Sequence, residues 1–220
     1  MARQRMTHLR TRTRVMVVIA LAGIAVVSAR AAADDLFTQI FNRSVLKQKS
    51  MQSIRARFTE TTVSSLLTKP IVARGTLIGA SPARVLMTYT DPEPKTVAID
   101  GETLTIVWPE RRERQQIKIA EMQKRIDQYF GRAIIKDLQS MFQILATPDQ
   151  TLRTADRIEM RPTRKQIKQG LEQLDLWIDR ESSMLVQMRM RFQGGDEKTI
   201  TLDGITTNVP VTDATFRIAP

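Results

Sequence analysis

The most constraining feature of this sequence is a series of short segments in which apolar and polar residues alternate between turn signals. Six such segments lie near 53–66, 71–80, 84–90, 95–99, 103–108 and 114–118. The sharpest turn signal is Asp100-Gly101, because glycine adopts the positive φ angle that a two-residue hairpin needs. Alternation at a period of two predicts half-buried strands, and the short turns predict antiparallel pairing between them.

Helical spacing interrupts this pattern twice. Asp34-Asp35 can cap a helix that runs to about Ser50. The apolar face of this helix is made by Leu36, Phe37, Ile40, Phe41 and Val45. A second interruption, 119–146, predicts two helices that are hinged at Gly131 and closed by Pro148. Strand patterns resume near 151–161, 172–179, 184–192 and 197–207.

These elements predict a mainly β fold with helices, in which one antiparallel sheet of about ten strands lies within a single domain spanning 34–220. No internal repeat and no linker divides this part of the chain. A sheet of this width must twist and curl, so one of its faces is concave. That face is apolar and has to be filled or covered.

Residues 1–33 have the composition of a secretory signal peptide. Five arginines and no acid precede Val15–Val27, an almost unbroken apolar run, and Ala31-Ala32-Ala33 offers a cleavage site. The run of 13 residues is shorter than the ~20 that span a bilayer as a helix, so we expect cleavage and export. Loss of the six arginines of 1–33 lowers the net charge from +11 to +5, a weak bias toward anionic surfaces.

Residues 34–220 contain neither histidine nor cysteine. Disulfides and imidazole catalysis are therefore excluded, and we predict no catalytic residue, no metal site and no cofactor. A Ser-Lys arrangement stays open, and carboxylate pairs can be drawn from Glu102, Glu110, Glu113, Asp175 and Asp179. Most of these acids lie beside arginines or in turns, which is typical of solvated charges. Nucleic-acid binding is disfavoured because basic residues do not interleave with aromatic ones.

Several predicted strands have one wholly apolar face. On 184–192, the apolar set is Met184, Val186, Met188, Met190 and Phe192, and the opposite set is Leu185, Gln187, Arg189 and Arg191. Flexible methionine side chains suit a surface that re-packs around variable apolar guests. We predict that an apolar cavity is lined by Val85, Met87, Leu104, Ile106, Met184, Val186, Met188 and Met190.

The two helices of 119–146 present apolar faces that can cover such a cavity. We predict a lid formed by Ile119, Met122, Ile126, Ile134, Leu138 and Met141, with Leu145 continuing the second helix. The same pattern is equally consistent with helices that plug the core permanently.

Four short motifs follow one another along the chain. The first is S-I-R-A-R-F-T-E-T at 53–61, and the second is G-T-L at 75–77, followed by Pro82 and by Y-T-D-P at 89–92. The third combines D-G at 100–101 with Leu104 and W-P at 108–109. The fourth is N-V-P-V at 208–211, followed by F-R at 216–217. In this order, behind a signal peptide, they resemble the LolA-type periplasmic carriers of outer-membrane lipoproteins.

This resemblance implies an incomplete antiparallel β-barrel whose concave apolar face receives acyl chains and whose mouth is closed by helices. It implies a periplasmic chaperone, expected to be monomeric, that takes acylated lipoproteins from an ATP-driven release complex in the inner membrane. An acceptor in the outer membrane then receives the cargo, on which no chemistry is done. A carrier of another lipid or glycolipid and a lipid-sensing regulatory module of the same fold stay open as alternatives.

Two positions depart from the family pattern. The family has an arginine before the proline matched by Pro82, whereas this chain has Ser81 there and Arg84 shortly after. Arg84 is therefore a candidate latch for the lid. The second departure is Glu60, which stands where the family usually has glutamine.

Overall fold

The computed structural model describes residues 33–81, 84–120 and 135–218. The predicted signal peptide, 1–33, lies outside these residues apart from Ala33. Helix α1 occupies 33–49 of the described chain, so Asp34 and Asp35 lie within its first turn instead of preceding it. Its predicted apolar face is confirmed, because the side chains of Phe37 and Ile40 are buried.

Most of the remaining described elements agree with the predicted segments. The strands are β1 (Ser53–Val63), β2 (Ile71–Ala80), β3 (Arg84–Asp91), β4 (Lys95–Asp100), β5 (Thr103–Trp108), β6 (Glu113–Lys118), β7 (Phe142–Pro148), β8 (Ala155–Pro162), β9 (Leu171–Asp179), β10 (Leu185–Phe192) and β11 (Glu197–Thr207). The helices that follow α1 in the described residues are α2 (Ile135–Met141), α3 (Lys165–Lys168) and α4 (Asp213–Phe216). None of the described helices is both long and apolar enough to cross a bilayer.

All these strands form one antiparallel sheet in the order β6-β5-β4-β3-β2-β1-β11-β10-β9-β8-β7. At its centre β1 pairs with β11, which brings the two ends of the domain together. Because β6 and β7 are opposite edges, the sheet is open. The predicted hairpin is confirmed, since Gly101 has a φ of 59° between β4 and β5. The predicted fold class, an incomplete antiparallel barrel, is confirmed as well.

The core lies on one face of the sheet, which we call the inner face; the opposite side is the outer face. Helices α1 and α2 pack on the inner face over β7, β8 and β9. The buried cluster there consists of Phe37, Ile40, Leu138, Met141, Phe142, Ala146, Ile158, Met160 and Ile178. A second cluster on the same face consists of Phe58, Ala73 and Tyr89, with Leu77, Met87, Val97, Ile200 and Leu202 packed against it.

Strand β7 corrects one sequence prediction. The spacing of Leu138, Met141 and Leu145 predicts a continuous helix, but the helix ends at Met141 and the chain continues as a strand. Ile144 pairs with Met160 of β8, which places the Leu145 side chain on the outer face, where it is 47% exposed. The predicted helical position of Leu145 is therefore wrong, and the sheet has one strand more than expected.

Candidate functional site

Four of the predicted cavity residues form one continuous apolar patch on the inner face. Met87 of β3 pairs with Val97 of β4, which in turn pairs with Ile106 of β5. One pleat further along, Val85 and Leu104 flank Ile99 in the same way. Paired residues of antiparallel strands share a face, so these six side chains adjoin one another. All six are half-buried.

The predicted methionines of β10 lie on the same face, across the centre of the sheet. Met188 pairs with Ile200 and Met190 pairs with Lys198 of β11. The apolar side chains of Phe58, Leu77 and Leu202 lie between this pair and the patch on β3 to β5. The sequence prediction that these residues share one face thus agrees with the register, whereas their role in binding stays a prediction.

The start of β10 departs from strict alternation. A register shift between Leu185 and Gln187 places Leu185 opposite Ile178, where it packs against the core under α1. The prediction that Leu185 faces away from the apolar set is therefore wrong, because a bulge takes up one residue. Met184 precedes the strand and is buried at 7% exposure. Val186 lies in the bulge itself.

Two recesses open onto the inner face beside the end of α1. One, of about 350 Å³, is lined by Lys47 of α1 and by Met184, Val186 and Leu202 of the sheet. The other, of about 320 Å³, is lined by Gln48 and Met51 together with Ile54 and Val85. Three of the predicted cavity residues, Val85, Met184 and Val186, therefore border open space, and the end of α1 borders both recesses.

A salt bridge holds α1 on the sheet at this point. The Arg43 guanidinium of α1 donates from Nη2 to Asp156 Oδ2 of β8 at 2.9 Å. The second oxygen of Asp156 accepts a hydrogen bond of 2.7 Å from Arg180 Nε. Because the Asp156 side chain is only 4% exposed, its charge needs both partners. This pairing fixes α1 over β8 and leaves the β3–β5 part of the inner face uncovered by α1.

Gly75 shapes the floor of the inner face. A Cβ atom at this position would lie 2.1 Å from the Thr88 carbonyl oxygen and 2.8 Å from Phe58 Cζ. The absence of a side chain lets the Phe58 ring lie directly on β2. Phe58 then packs edge-on against Tyr89, with ring centroids 4.8 Å apart. The glycine of the G-T-L motif is thus required because any side chain at position 75 would clash with Thr88 and Phe58.

A polar cluster borders this apolar floor. Glu60 of β1 accepts a hydrogen bond of 3.1 Å from the Tyr89 hydroxyl and one of 2.9 Å from Lys198 Nζ. The Lys95 ammonium lies 4.4 Å from the centroid of the Tyr89 ring. Burial, and then the negative charge and hydrogen bond of Glu60, raise the pKa of Tyr89, so the phenol stays protonated as the donor.

Sequence reasoning missed this cluster as a site. The sequence does hold a signal for it. Glu60, Lys95 and Lys198 each occupy a position at which the alternation of their strand predicts an inward, apolar residue. The family pattern singles out only Glu60, as a departure from glutamine. The ion pair itself joins residues 138 positions apart, which no local pattern can reveal.

The predicted lid residues are placed only in part. Met122, Ile126 and Ile134, like the predicted hinge Gly131, lie outside the described residues. Ile119 is buried and its backbone N–H donates to the Glu102 carbonyl at 2.7 Å. Leu138 and Met141 belong to α2 and are buried in the core cluster with α1. Their role as a lid stays a prediction.

Arg84, the candidate latch, has a different set of partners. It pairs with Ala80 and Asp100, so its side chain lies on the outer face, opposite that of Val85. Arg84 Nη1 donates to Asp213 Oδ1 at 2.6 Å, and the guanidinium lies 4.8 Å from the centroid of the Phe216 ring. Within the described residues Arg84 therefore fixes the C-terminal helix α4, and no contact there supports its predicted role as a latch.

Two of the acids considered for catalysis, Asp175 and Asp179, are held by structural contacts. Asp175 is fully buried on the outer face, where Arg157 and Arg189 donate to it at 2.7 and 2.8 Å. Asp179 accepts hydrogen bonds from the backbone and side chain of Ser182 in the turn before β10. Across the described residues, no group of three or more acids is arranged to hold a metal ion.

Comparison with known proteins agrees with this architecture. The family model described as "Outer membrane lipoprotein carrier protein LolA" matches residues 49–219, which confirms the resemblance drawn from the four motifs. No curated protein sequence matches the chain.

Solved structures share the fold at low sequence identity. An uncharacterized conserved protein from Thermus thermophilus is 10% identical, with a TM-score of 0.53, over 83% of this chain and 93% of that one. The Mycobacterium tuberculosis lipoprotein LppX is 15% identical, with a TM-score of 0.51, over 79% of this chain and 96% of that one. At such identities the likeness shows a common fold alone.

Proposed function

Because this chain belongs to the family of the outer membrane lipoprotein carrier protein LolA, we propose that it carries acylated lipoproteins through the periplasm, with the acyl chains held on the inner face. The observation that carries this proposal is the apolar patch of β3, β4 and β5. Its side chains are half-buried, so part of each stays exposed, and the patch continues across the sheet to Met188 and Met190. Recesses beside α1 open onto the same surface.

The energetics of acyl transfer require such a surface. Moving a methylene group from lipid into water costs about 0.8 kcal/mol, so a fifteen-carbon chain costs roughly 12 kcal/mol. A soluble carrier must offset most of this cost with apolar contacts, yet it must also release the chain. Adaptable methionine side chains at Met87, Met188 and Met190 suit both demands, because they re-pack around different guests.

A movable lid would complete the carrier. We assign this role to Ile119, Met122, Ile126, Ile134, Leu138 and Met141, whose apolar spacing suits a cover over the inner face. Reclosure of the lid on the empty sheet would compete with bound acyl chains, so that binding stays reversible. The buried Leu138 and Met141 would then belong to the fixed base of this cover.

The carrier acts between two membranes in this proposal. Residues 1–33 direct export and are removed, and 34–220 work as one domain, as a monomer. The protein receives lipoproteins from an ATP-driven release complex in the inner membrane and delivers them to an acceptor in the outer membrane. Neither a cofactor nor catalysis on the cargo is part of the proposal.

A release assay tests this function. Protein purified after expression of the full chain is added to Gram-negative spheroplasts, and the supernatant is probed for lipoproteins bound to it. We expect soluble lipoprotein in complex with the protein. If no lipoprotein is released, native mass spectrometry of the same sample separates the alternatives: bound lipid alone would point to a carrier of another lipid, and empty protein would contradict the carrier function.

A further inference from the structure

The carboxylate of Glu60 is an unusual component of an apolar face. Its cross-strand neighbours are Ala73 and Ile200, Phe58 is the preceding inward residue of β1, and the Glu60 side chain is only 11% exposed. Burying a carboxylate is costly unless it is paired, and an apolar pair of similar size usually serves stability as well. Glu60 is fully paired by Tyr89 and Lys198. Stability of the fold therefore does not explain why the Glu60–Lys198 ion pair lies on this apolar face.

Lys95 adds a second cation to the same cluster. Its ammonium lies over the Tyr89 ring, and no carboxylate among the described residues forms a salt bridge with it. Glu60 can neutralise only one of the two ammonium groups, and Lys198 takes that place at 2.9 Å. The cluster therefore has an excess positive charge beside an apolar surface, which favours a ligand with partly or fully negative oxygen atoms.

The position of the cluster matches the layout of a diacyl lipid. Lys95 is the first residue of β4, and Tyr89 lies near the end of β3. The next inward pair along these two strands is Met87 with Val97, where the apolar patch begins. Polar groups thus occupy one end of a surface whose remaining length is apolar. Tyrosine and lysine side chains at a membrane interface are placed similarly, with the apolar part against lipid and the polar tip among polar groups.

We propose that Lys95, Tyr89 and Lys198 form a subsite for the polar end of a diacyl cargo. The two ammonium groups donate to ester or phosphate oxygens of the lipid, while its acyl chains extend along Met87, Val97 and Ile106. Glu60 is a positioning residue, because it holds Lys198 and the Tyr89 hydroxyl in place. This subsite rests on the proposed carrier function, and it adds where the cargo's polar end lies and which atoms recognise it.

Two probes distinguish the source of the oxygen atoms. A dipalmitoylated lipopeptide carries ester carbonyls without phosphate, and vesicles of dipalmitoyl phosphatidylglycerol supply both groups. Each is incubated with protein from the full chain, and the bound fraction is measured by native mass spectrometry. Lys95→Met removes the cation and keeps an apolar stem of similar length. The matched control is Lys118→Met on the exposed outer face of β6.

We expect Lys95→Met to lower binding about tenfold, as loss of one charge-assisted contact does. Loss with both probes would assign the subsite to ester oxygens, and loss with phosphatidylglycerol alone would assign it to phosphate. Glu60→Gln keeps a side-chain oxygen that can accept from Lys198 or the Tyr89 hydroxyl but removes the negative charge, so it should raise binding of the affected probe severalfold.

The proposal is overturned if Lys95→Met binds both probes as Lys118→Met does. Failure of the carrier function looks different, because the unsubstituted protein would then bind neither probe. The thermal unfolding midpoint of each variant, measured by circular dichroism, verifies that the compared proteins are folded. Among the described residues the Lys95 side chain makes no hydrogen bond or salt bridge, so its replacement should leave that midpoint nearly unchanged.

Discussion

The Tyr89 hydroxyl donates a hydrogen bond to the Glu60 carboxylate, which makes the ionisation of a phenol on β3 depend on an acid on β1. Burial first, and then the charge and hydrogen bond of Glu60, raise the pKa of Tyr89. Because the Tyr89 pKa is higher in the folded than in the unfolded protein, its contribution to stability is fully present below the unfolded-state pKa near 10. This contribution is lost as the pH rises toward the pKa in the folded protein. The free energy of unfolding should therefore fall above about pH 10.

Tyr89→Phe tests this dependence, because it removes the ionisable group and keeps the ring against Phe58. We expect the decline in unfolding free energy above pH ~10 to be shallower in the variant. Denaturant unfolding at several pH values measures it. Parallel pH profiles for the two proteins would contradict the raised pKa of Tyr89.

Gly75→Ala should be strongly destabilising. The new methyl group would meet the Thr88 carbonyl oxygen and the Phe58 ring, and the first of these is backbone that cannot move aside. We expect a loss of about 3 kcal/mol or more in the free energy of unfolding, measured with urea. Gly170→Ala is the matched control, because nothing lies within 4 Å of a Cβ atom there. Equal losses for the two variants would contradict the close packing of Phe58 on β2.

Phe216→Ala should show that the C-terminal helix belongs to the fold. Phe216 is 2% exposed, and we expect a loss of about 3–5 kcal/mol in unfolding free energy. Asp213→Asn removes only the salt bridge to Arg84, and Asp213 is 78% exposed, so a loss below about 1 kcal/mol is expected. Thermal unfolding of both variants provides the measurement. A small effect of Phe216→Ala would mean that α4 is dispensable for the core.

Asp175→Asn should weaken the fold at neutral pH and less so in acid. Burial alone would raise the pKa of Asp175, but hydrogen bonds from Arg157, Arg189 and Gln173 lower it. Because the Asp175 pKa is lower in the folded protein, the carboxylate stabilises the fold at pH values above its unfolded-state pKa of about 3.9. This contribution is lost as the pH falls toward the pKa in the folded protein. We expect Asp175→Asn to cost about 3 kcal/mol at neutral pH.

Measurements in acid test whether the charge of Asp175 causes this difference in stability. As pH falls below about 4, the unfolding free energy of the unsubstituted protein should approach that of Asp175→Asn. Chemical denaturation of both proteins between neutral and acidic pH measures this convergence. A difference that stays constant throughout would show that the charge of Asp175 is not what stabilises the outer face.

Alternation predicted most of the sheet because each strand buries one face only. The failure at β7 has a physical reason: Phe142, Ile144 and Ala146 alternate as a strand does, yet Leu138, Met141 and Leu145 also satisfy a helical period. When a short apolar segment fits both periods, pairing with a distant strand decides between them. Here β8 accepts the segment as its partner.

Alternation indicated correctly which of these residues share a face of the sheet, but it could not indicate contacts between distant parts of the chain. The register places Val85, Met87, Leu104 and Ile106 together as alternation indicates. The same rule places Arg84 opposite to Val85, but its partner Asp213 is 129 residues away and is not foreseeable from local pattern. The β-bulge that turns Leu185 inward is likewise set by pairing with β9.

Lipid uptake by Met188→Glu tests whether the inner face binds acyl chains. Met188 is half-buried on the inner face, while its neighbour Gln187 pairs with Thr201 on the outer face. Protein from the full chain carrying Met188→Glu or Gln187→Glu is incubated with the dipalmitoylated lipopeptide, and bound lipid is measured by native mass spectrometry. Both variants should fold, and only Met188→Glu should lose uptake. Full uptake by folded Met188→Glu would show that acyl chains do not bind on the inner face.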